Sequence, residues 1–315
     1  MSRYPEADLG AIKTQPIEAR HSKVSVQDFA AQVTPEMASI IHAMPKILGG
    51  QVLRDVVEAI GTAAKAKRPT IVMLGGHVIK TGCAPLLIQL MDAGVITGLV
   101  MHGATAIHDY ETARFGQTSE DVEAALGSGN FGMSDETSRE MNEAVNEAVA
   151  RKEGLGEAWG RRLEETQAPH RHLSLLAKAY QSEIPLTVHV ALGTDILHQH
   201  GSANGASFGE ATLRDFRILA QTLTDFDGGV ILNLGSAVIL PEVFLKAFSV
   251  AANLGKPPKG ITAVNFDFIR HYRPRVNVLQ RPTASGRGRA FELTGHHEIL
   301  IPLLTAGVLE ALQKP

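Results

Sequence analysis

Short runs of consecutive apolar residues alternate along the chain with longer stretches in which apolar residues recur every three or four positions. Runs of the first kind are typical of strands buried on both faces, and the longer stretches are typical of helices. The five predicted strands cover residues 71–74, 98–101, 186–191, 229–234 and 260–266. The main predicted helices cover residues 53–66, 84–91, 211–223, 241–254 and 298–312. This alternation predicts an α/β fold of Rossmann type, with one parallel sheet flanked by helices.

One charged stretch interrupts the alternation. Residues 119–182 carry helical patterns without a buried-strand run, which predicts a helical block inserted between two strands. Ser119 and Ser134 are each followed by two acidic residues and are predicted to cap helices, and a further helix is predicted over 172–181. Residues 1–37 are polar and predict an N-terminal arm. Residues 38–315 are then a single α/β domain with its helical insertion at about 119–182.

Composition narrows the classes of function. The 315 residues are 44% hydrophobic and 20% charged, as in ordinary globular proteins. The formal net charge of −3 predicts no nucleic-acid partner, because such partners need a basic surface. No apolar run is long enough to cross a membrane, and Cys83 is the only cysteine, so no internal disulfide is expected. These features predict a cytoplasmic protein with no membrane partner.

Titratable side chains are concentrated in two glycine-containing turns that follow the first two predicted strands. These turns, residues 75–82 and 102–109, are expected to lie side by side at the carboxyl ends of parallel strands. If a helix begins near residue 104, His108 shares a helix face with Glu111. An imidazole oriented by a carboxylate suits acid–base chemistry, and His108 with Asp109 is the predicted pair. The spacing is equally compatible with residues that only satisfy helix and sheet ends.

A second polar cluster, residues 192–204, follows the third predicted strand. His198 and His200 stand two positions apart and, with Asp195, would suit a metal site if the segment were extended. No cysteine ligand or His-Glu-x-x-His pattern accompanies them. A hydrogen-bonded substrate or structural loop is therefore the favoured interpretation, and no metal is predicted.

Five motifs occur in the order and spacing of a known family. They are GGHVIKTG at 75–82, HGATAIHDYE at 102–111, the segment 189–200, NLGSAV at 233–238 and AVNFDF at 263–268. In these motifs the chain resembles deoxyhypusine synthase, and the resemblance runs from about Leu53 onward. The central turn is also similar to the NAD-binding domain of archaeal-type ornithine cyclodeaminases and to the related lysine-ketoglutarate reductase domain. The resemblance implies a Rossmann-like, deoxyhypusine synthase-like fold that uses NAD to oxidise an amine transiently before the hydride is returned.

The same resemblance implies roles for individual residues. Asp195 matches the family's acidic position that contacts the polyamine, so it is predicted to hold an ammonium group and joins His108 and Asp109 as a catalytic residue. The NAD phosphates are expected near the glycine turns and a helix N-terminus. The implied NAD-binding residues are Gly76, Lys80, Thr81, Gly103, Ala104, Thr105, Gly235, Ser236 and Asn265.

Two departures separate this chain from the synthases themselves. Residues 271–280, where the family carries an imine-forming lysine, contain neither lysine nor tryptophan. Pro241 and Glu242 stand where the family has an active-site histidine. We therefore predict an NAD-dependent transferase or lyase that acts on C–N bonds of a small amine or amino acid, and not a true deoxyhypusine synthase. The alternatives are an ornithine cyclodeaminase-like lyase and a non-catalytic NAD- or nucleotide-binding protein. A homo-oligomer, either a dimer or a tetramer, is expected.

Overall fold

A six-stranded parallel sheet forms the centre of the molecule, whose computed structural model describes residues 3–314. The strands are β1 (Ser22–Ser25), β2 (Thr70–Leu74), β3 (Gly98–His102), β4 (Gln117–Glu120), β5 (Leu186–His189), β6 (Val230–Leu234), β7 (Ile261–Asp267) and β8 (Gly288–Thr294). Strands β1 and β4 form a separate antiparallel pair. The first two residues of the predicted arm and the last residue of the predicted domain lie outside the described residues.

The strands of the large sheet lie in the order β5-β3-β2-β6-β7-β8, and every neighbouring pair is parallel. Counted along the chain this order is 3-2-1-4-5-6, which is the strand order of the Rossmann dinucleotide-binding fold. The order reverses between β2 and β6, which are adjacent at the centre of the sheet. The predicted α/β Rossmann-like class is therefore confirmed.

Helices cover both faces of this sheet. They are α1 (Ser39–Ala43), α2 (Leu48–Lys65), α3 (Gly76–Lys80), α4 (Ala84–Asp92), α5 (Gly103–Phe115), α6 (Val122–Leu126), α7 (Asp135–Arg151), α8 (Leu155–Glu165), α9 (Leu175–Gln181), α10 (Gly205–Thr222), α11 (Ile239–Asn253), α12 (Arg281–Thr283) and α13 (His297–Gln313). A π-helical turn, Pro274–Gln280, precedes α12. Within residues 3–314, no helix combines the length and apolar character needed to span a bilayer.

The central strands are buried on both faces, as their continuous apolar runs predict. In β2, Val72 and Leu74 belong to the hydrophobic cluster that includes residues of α2, α4, α5 and α13. The intervening Ile71 and Met73 belong to a second cluster with residues of α10 and α11. Because successive side chains of a strand point to opposite faces, one short apolar run supplies both layers of the core.

The predicted helical insertion lies between α5 and β5 and packs against α5. Trp159 of α8 is fully buried, and its Nε1–H donates to the carbonyl of Met141 in α7 at 3.1 Å. Tyr110 of α5 donates its hydroxyl proton to Glu140 of α7 at 3.1 Å. These bonds attach the insertion to the helix that follows β3. The further division into an arm over 1–37 and one domain stays a prediction.

Two details of the predicted elements are wrong. The sheet has a sixth strand, β8, whose residues are half-buried or exposed at the sheet edge, so the apolar run that marks the other strands is missing. Ser119 is not a helix cap: it lies in β4 with a φ of 67°. Helix α6 begins after Asp121, whose side chain accepts the N–H of Ala124.

Candidate active site

Two glycine turns meet where the strand order of the sheet reverses. Gly75 follows β2 and donates its N–H to the Leu234 carbonyl at 2.8 Å, and Gly235 follows β6. A Cβ on Gly75 would lie 2.2 Å from the carbonyl oxygen of Gly235, whose own φ is 72°. Both positions therefore require glycine. In a sheet of this order, the crevice beside these turns is where dinucleotides bind.

Buried polar atoms at this sheet edge have no partner within the described residues. Asn233 directs its Nδ2 to Asn265 at 2.8 Å and to the Ser236 carbonyl at 3.0 Å, and its Oδ1 has no partner. His297 is fully buried beside Gly235, and neither of its ring nitrogens has a partner. Burial lowers the pKa of His297, which favours its neutral imidazole. Unsatisfied buried groups are costly, and here they fit the amide, hydroxyl and phosphate groups of a nucleotide.

Aromatic rings surround the same turns. His77 lies 5.3 Å from Phe268 and 5.9 Å from His297, measured between ring centroids. Phe268 lies 6.5 Å from His296, with the two planes only 7° apart. Phe268 is 43% exposed although it follows the fully buried strand β7. An exposed aromatic face at a sheet edge suits the stacking of a planar ring, such as one of the bases of NAD.

Asp195 occupies the N-terminus of α5. The backbone N–H of Ala104 donates to its carboxylate, and a Cβ on Gly103 would lie only 1.8 Å from its Oδ2. The residue is 7% exposed, and this burial raises the pKa of its carboxyl to about 6. A protein carboxylate therefore lies where a phosphate would otherwise meet the helix dipole. Gly103 and Ala104 surround Asp195 in this structure.

A cavity of about 200 Å³ brings together four of the predicted site residues, Lys80, Ala104, His108 and Asp195. Glu120 lies beside them, and Ile107 and Phe131 form apolar walls. Among the described residues, no carboxylate pairs with Lys80, so its ammonium group is free to bind an anion. The cavity therefore combines a buried acid, an imidazole and a cation.

Solved structures with a similar fold include one that was determined with NAD+ bound. AgrE in ternary complex with ornithine and NAD+ matches with a TM-score of 0.51 at 14% identity, over 83% of this chain and 34% of AgrE. A putative deoxyhypusine synthase from Entamoeba histolytica matches with a TM-score of 0.50 at 11% identity, over 94% of this chain and 96% of that protein. A conserved putative LOR/SDH protein from Methanococcus maripaludis S2 matches with a TM-score of 0.49 at 15% identity, over 91% of this chain and 72% of that one. This chain spans about a third of the length of AgrE.

The fold is shared with deoxyhypusine synthase-like proteins. The predicted resemblance is thereby confirmed for the fold, at low sequence identity. No protein-family model matches the sequence, and no curated protein matches it. Activity has to be inferred from the residues of the site.

His108 lines the cavity as a neutral imidazole. Burial is the main reason that its pKa falls to about 4. Glu111 on the same helix opposes this shift, whereas Lys80 of α3, His102 at the end of β3 and Arg20 of the arm reinforce it. A neutral imidazole can accept a proton at pH 7. The predicted catalytic residue is therefore unprotonated, as a general base must be, although a pKa near 4 makes it a weak base.

Asp109 points away from the cavity, unlike its neighbour His108. Its carboxylate accepts hydrogen bonds from the Ser174 hydroxyl and from the backbone N–H groups of Leu175 and Leu176, at 2.9 and 3.0 Å. It is fully buried, and burial raises its pKa to about 6. Asp109 thus joins α5 to the first turn of α9, and the structure does not bring it to the other predicted catalytic residues.

Two predicted NAD contacts use their hydroxyl groups within the protein. Thr105 is fully buried and donates to the Leu74 carbonyl at 2.9 Å, which ties α5 to the end of β2. Thr81 donates to the His77 carbonyl at 3.0 Å at the end of α3. Both threonines therefore hold the turns that surround the site in place.

The paired histidines of the 192–204 cluster have separate partners. His198 accepts the N–H groups of Gly193 and Asp195 at its Nδ1, each at 3.2 Å. His200 lies with its Nε2 2.8 Å from the Gly132 carbonyl, which ties this loop to the insertion. Across residues 3–314, no three histidine, cysteine or acidic side chains are grouped as metal ligands. The loop is a hydrogen-bonded support for Asp195.

The arginines within and next to the 271–280 segment are paired within the chain. Arg273 bonds Glu242 at 3.2 Å, and Arg270 lies 3.6 Å from Glu292. Arg281 bonds Asn277, which lies in the π-helical turn. Sequence reasoning missed two residues that contact the cavity helix. Arg20 reaches Glu111 from 91 positions away, and Thr118 reaches His108 from the strand that directly follows α5.

Proposed function

We propose that this protein is an NAD-dependent enzyme that acts on an amine or an amino acid through transient hydride transfer. The observation that carries the proposal is the pair of glycine turns at the strand-order reversal, next to a cavity that holds a neutral imidazole and a buried carboxylate. Fold similarity to AgrE, solved with ornithine and NAD+, is consistent with it. The homo-oligomer and the cytoplasmic location stay predictions.

NAD would be held at the turns after β2 and β6. Gly76 and Ser236 offer backbone N–H groups for its phosphates, and Asn265 positions the Asn233 amide for its polar groups. Gly235 contributes by the close approach that its missing Cβ permits, because its own N–H donates to the Phe266 carbonyl at 3.0 Å. The rings of Phe268 and His77 offer a stacking surface. When bound, NAD supplies a hydride acceptor that later returns the hydride. We place its phosphates away from the N-terminus of α5, because Asp195 occupies that position.

The substrate would lie in the cavity between His108, Asp195 and Lys80. An ammonium group must lose a proton before its carbon can give up a hydride, and His108 can accept that proton at Nε2. The Asp195 carboxylate would hold the amine, and the free Lys80 ammonium would bind a carboxylate. This combination of charges favours an amino acid over a bare polyamine, and with it the ornithine cyclodeaminase-like alternative.

We do not propose that this protein synthesises deoxyhypusine. The imine-forming step needs a lysine that can lose its proton, and an arginine guanidinium stays protonated at physiological pH. The 271–280 segment has no lysine. The test is incubation with NAD and spermidine, borohydride reduction and intact-mass measurement. A stable aminobutyl adduct on this chain would contradict the proposal.

The first prediction concerns Gly235, and Gly94 provides a matched control. Both glycines have φ near 70°, so alanine strains both backbones alike. A Cβ on Gly235 meets His297 at 2.5 Å, whereas a Cβ on Gly94 has nothing within 4 Å. Gly235→Ala should weaken NAD binding by about tenfold or more, equivalent to about 1.4 kcal/mol, and Gly94→Ala should leave it unchanged. Calorimetric titration with NAD measures this.

Two results would count against the proposed function. Equal NAD affinities for wild type, Gly235→Ala and Gly94→Ala would place the cofactor elsewhere. NAD binding without any change in nicotinamide absorbance across a panel of amines and amino acids would favour the non-catalytic NAD-binding alternative. A scan that includes ornithine, lysine and spermidine covers both substrate classes.

A further inference from the structure

A chain of hydrogen bonds leads from the cavity histidine to a buried ion pair. Nδ1 of His108 lies 2.8 Å from Oγ1 of Thr118, and that hydroxyl donates to Oε2 of Glu111 at 2.6 Å. The Glu111 carboxylate also accepts two hydrogen bonds from Arg20, at 2.6 and 3.0 Å, and one from Thr137 at 3.0 Å. Thr118 and Glu111 are 0% and 1% exposed, so water does not compete for these bonds.

The donors and acceptors in this series of hydrogen bonds determine which nitrogen of the imidazole carries the proton. A hydroxyl has one proton to donate, and a carboxylate can only accept, so the proton of Thr118 goes to Glu111. Thr118 then offers only lone pairs to His108, and the Nδ1 of His108 must carry the proton. Its Nε2 is left with a free lone pair. A Cβ on Gly76 would lie 3.8 Å from that Nε2, so the lone pair is next to the first glycine turn.

We propose that Glu111 and Thr118 are positioning residues that hold His108 in its Nδ1–H tautomer, which makes Nε2 the proton acceptor of the site. The role of His108 as the base rests on the proposed function, whereas the tautomer follows from the hydrogen bonds alone. Arg20 neutralises Glu111, so the carboxylate orients the imidazole without placing net negative charge beside it. When a proton leaves the substrate, it goes to Nε2, and the proton on Nδ1 stays in its bond to Thr118.

The N-terminal arm takes part in this arrangement through two contacts. Strand β1 pairs with β4, with Val24 opposite Thr118, so the arm fixes the strand that carries the hydroxyl. Arg20 lies two residues before β1 and contributes both guanidinium bonds to Glu111. A segment that looks peripheral in the sequence therefore holds the catalytic imidazole in its orientation.

Thr118→Val tests the proposal, with Thr112→Val as a matched control. Both threonines are buried, but the Thr112 hydroxyl donates to the backbone carbonyl of His108 and does not contact its ring. In NMR spectra of protein labelled with ¹⁵N-histidine, the His108 signals are assigned by their loss in His108→Ala. Wild type, Thr118→Ser and Thr112→Val should show the Nδ1–H tautomer at neutral pH. Thr118→Val should shift His108 towards the Nε2–H tautomer, because Nδ1 loses its acceptor.

Turnover provides a second measurement. Thr118→Val should lower kcat by less than the roughly 10²–10⁴-fold cost of losing the base itself. KM should change little, and Thr118→Ser should restore kcat. Wild-type His108 in the Nε2–H form, or no change of tautomer in Thr118→Val, would overturn the proposal. The expected tautomers without turnover on any amine or amino acid would instead contradict the proposed function. The two failures are therefore distinguishable.

Discussion

His108 and Asp109 are neighbours on α5 but have different environments. One faces a cavity as a neutral imidazole, and the other is buried against the first turn of α9. Consecutive helical positions differ by about 100° around the axis, so adjacent residues seldom serve the same site. The identity of a residue is therefore a weaker guide to its role than the direction in which its helix position faces.

This contrast gives a prediction for two substitutions. His108→Ala should reduce turnover by about 10²–10⁴-fold, because the proton acceptor is lost, and should leave NAD affinity unchanged. Asp109→Asn should retain turnover in the folded protein but lower the free energy of unfolding by about 1–3 kcal/mol, because a buried acceptor of three hydrogen bonds is altered. Steady-state kinetics and urea unfolding separate the two effects. Full turnover in His108→Ala would show that its role is structural.

At the scale of elements, the N-terminus of α5 binds a carboxylate of the protein itself, where Rossmann-type folds often bind a phosphate. The free N–H groups of a first turn attract an anion, and here the anion is Asp195 from the loop after β5. Gly103 permits the close approach because it has no Cβ. The helix dipole therefore holds in place the carboxylate that we assign to the substrate amine.

Gly103→Ala tests that assignment. The new Cβ would overlap Oδ2 of Asp195, so the carboxylate must shift from its present position. We expect KM for the amino-acid or amine substrate to rise by about tenfold, the equivalent of about 1.4 kcal/mol, with NAD affinity unchanged. Calorimetry and steady-state kinetics measure the two separately. A loss of NAD affinity with unchanged KM would instead mean that Gly103 contacts the cofactor, as the sequence resemblance implies.

At the scale of the whole molecule, buried titratable groups of opposite kinds affect stability in opposite directions. Burial lowers the pKa of His189 to about 3 and raises that of Asp215 to about 7. The contribution of His189 to the free energy of unfolding is fully present above the pKa of an unfolded histidine, near 6.5. It is lost as the pH falls towards 3. The contribution of Asp215 to the free energy of unfolding is fully present below the pKa of an unfolded aspartate, near 3.9. It is lost as the pH rises through 7.

His189→Gln should reveal the first of these contributions. His189 is 4% exposed, and within residues 3–314 its ring forms a hydrogen bond with the Thr187 hydroxyl, at 3.1 Å. Between about pH 6 and 4, unfolding of the wild type takes up one more proton than unfolding of the variant. The wild type should therefore lose about 1.4 kcal/mol per pH unit relative to His189→Gln as the pH falls. Parallel stability curves from urea unfolding over this range would contradict the expectation.

The sequence by itself determined the parallel sheet and its glycine turns, and it pointed to Lys80, Ala104, His108 and Asp195 among the residues that line the cavity. These features are local, because a strand buried on both faces must be a continuous apolar run, and the turn after it needs glycine where backbones approach. Edge strand β8 lacks such a run because its side chains meet solvent. Ser119 resembled a helix cap because it stands two positions before Asp121, the residue that caps α6.

Only the tertiary structure decided which polar residues act together. Arg20 and Glu111 are 91 positions apart, and Asp109 finds its partners 65 to 67 positions away. A charge or a hydroxyl has no periodicity that reveals its partner, since any acid can pair with any base that the fold brings near. The apolar pattern therefore specifies the layers of the fold, and the packing of those layers specifies that His108 is oriented through Thr118 and that Asp109 caps α9.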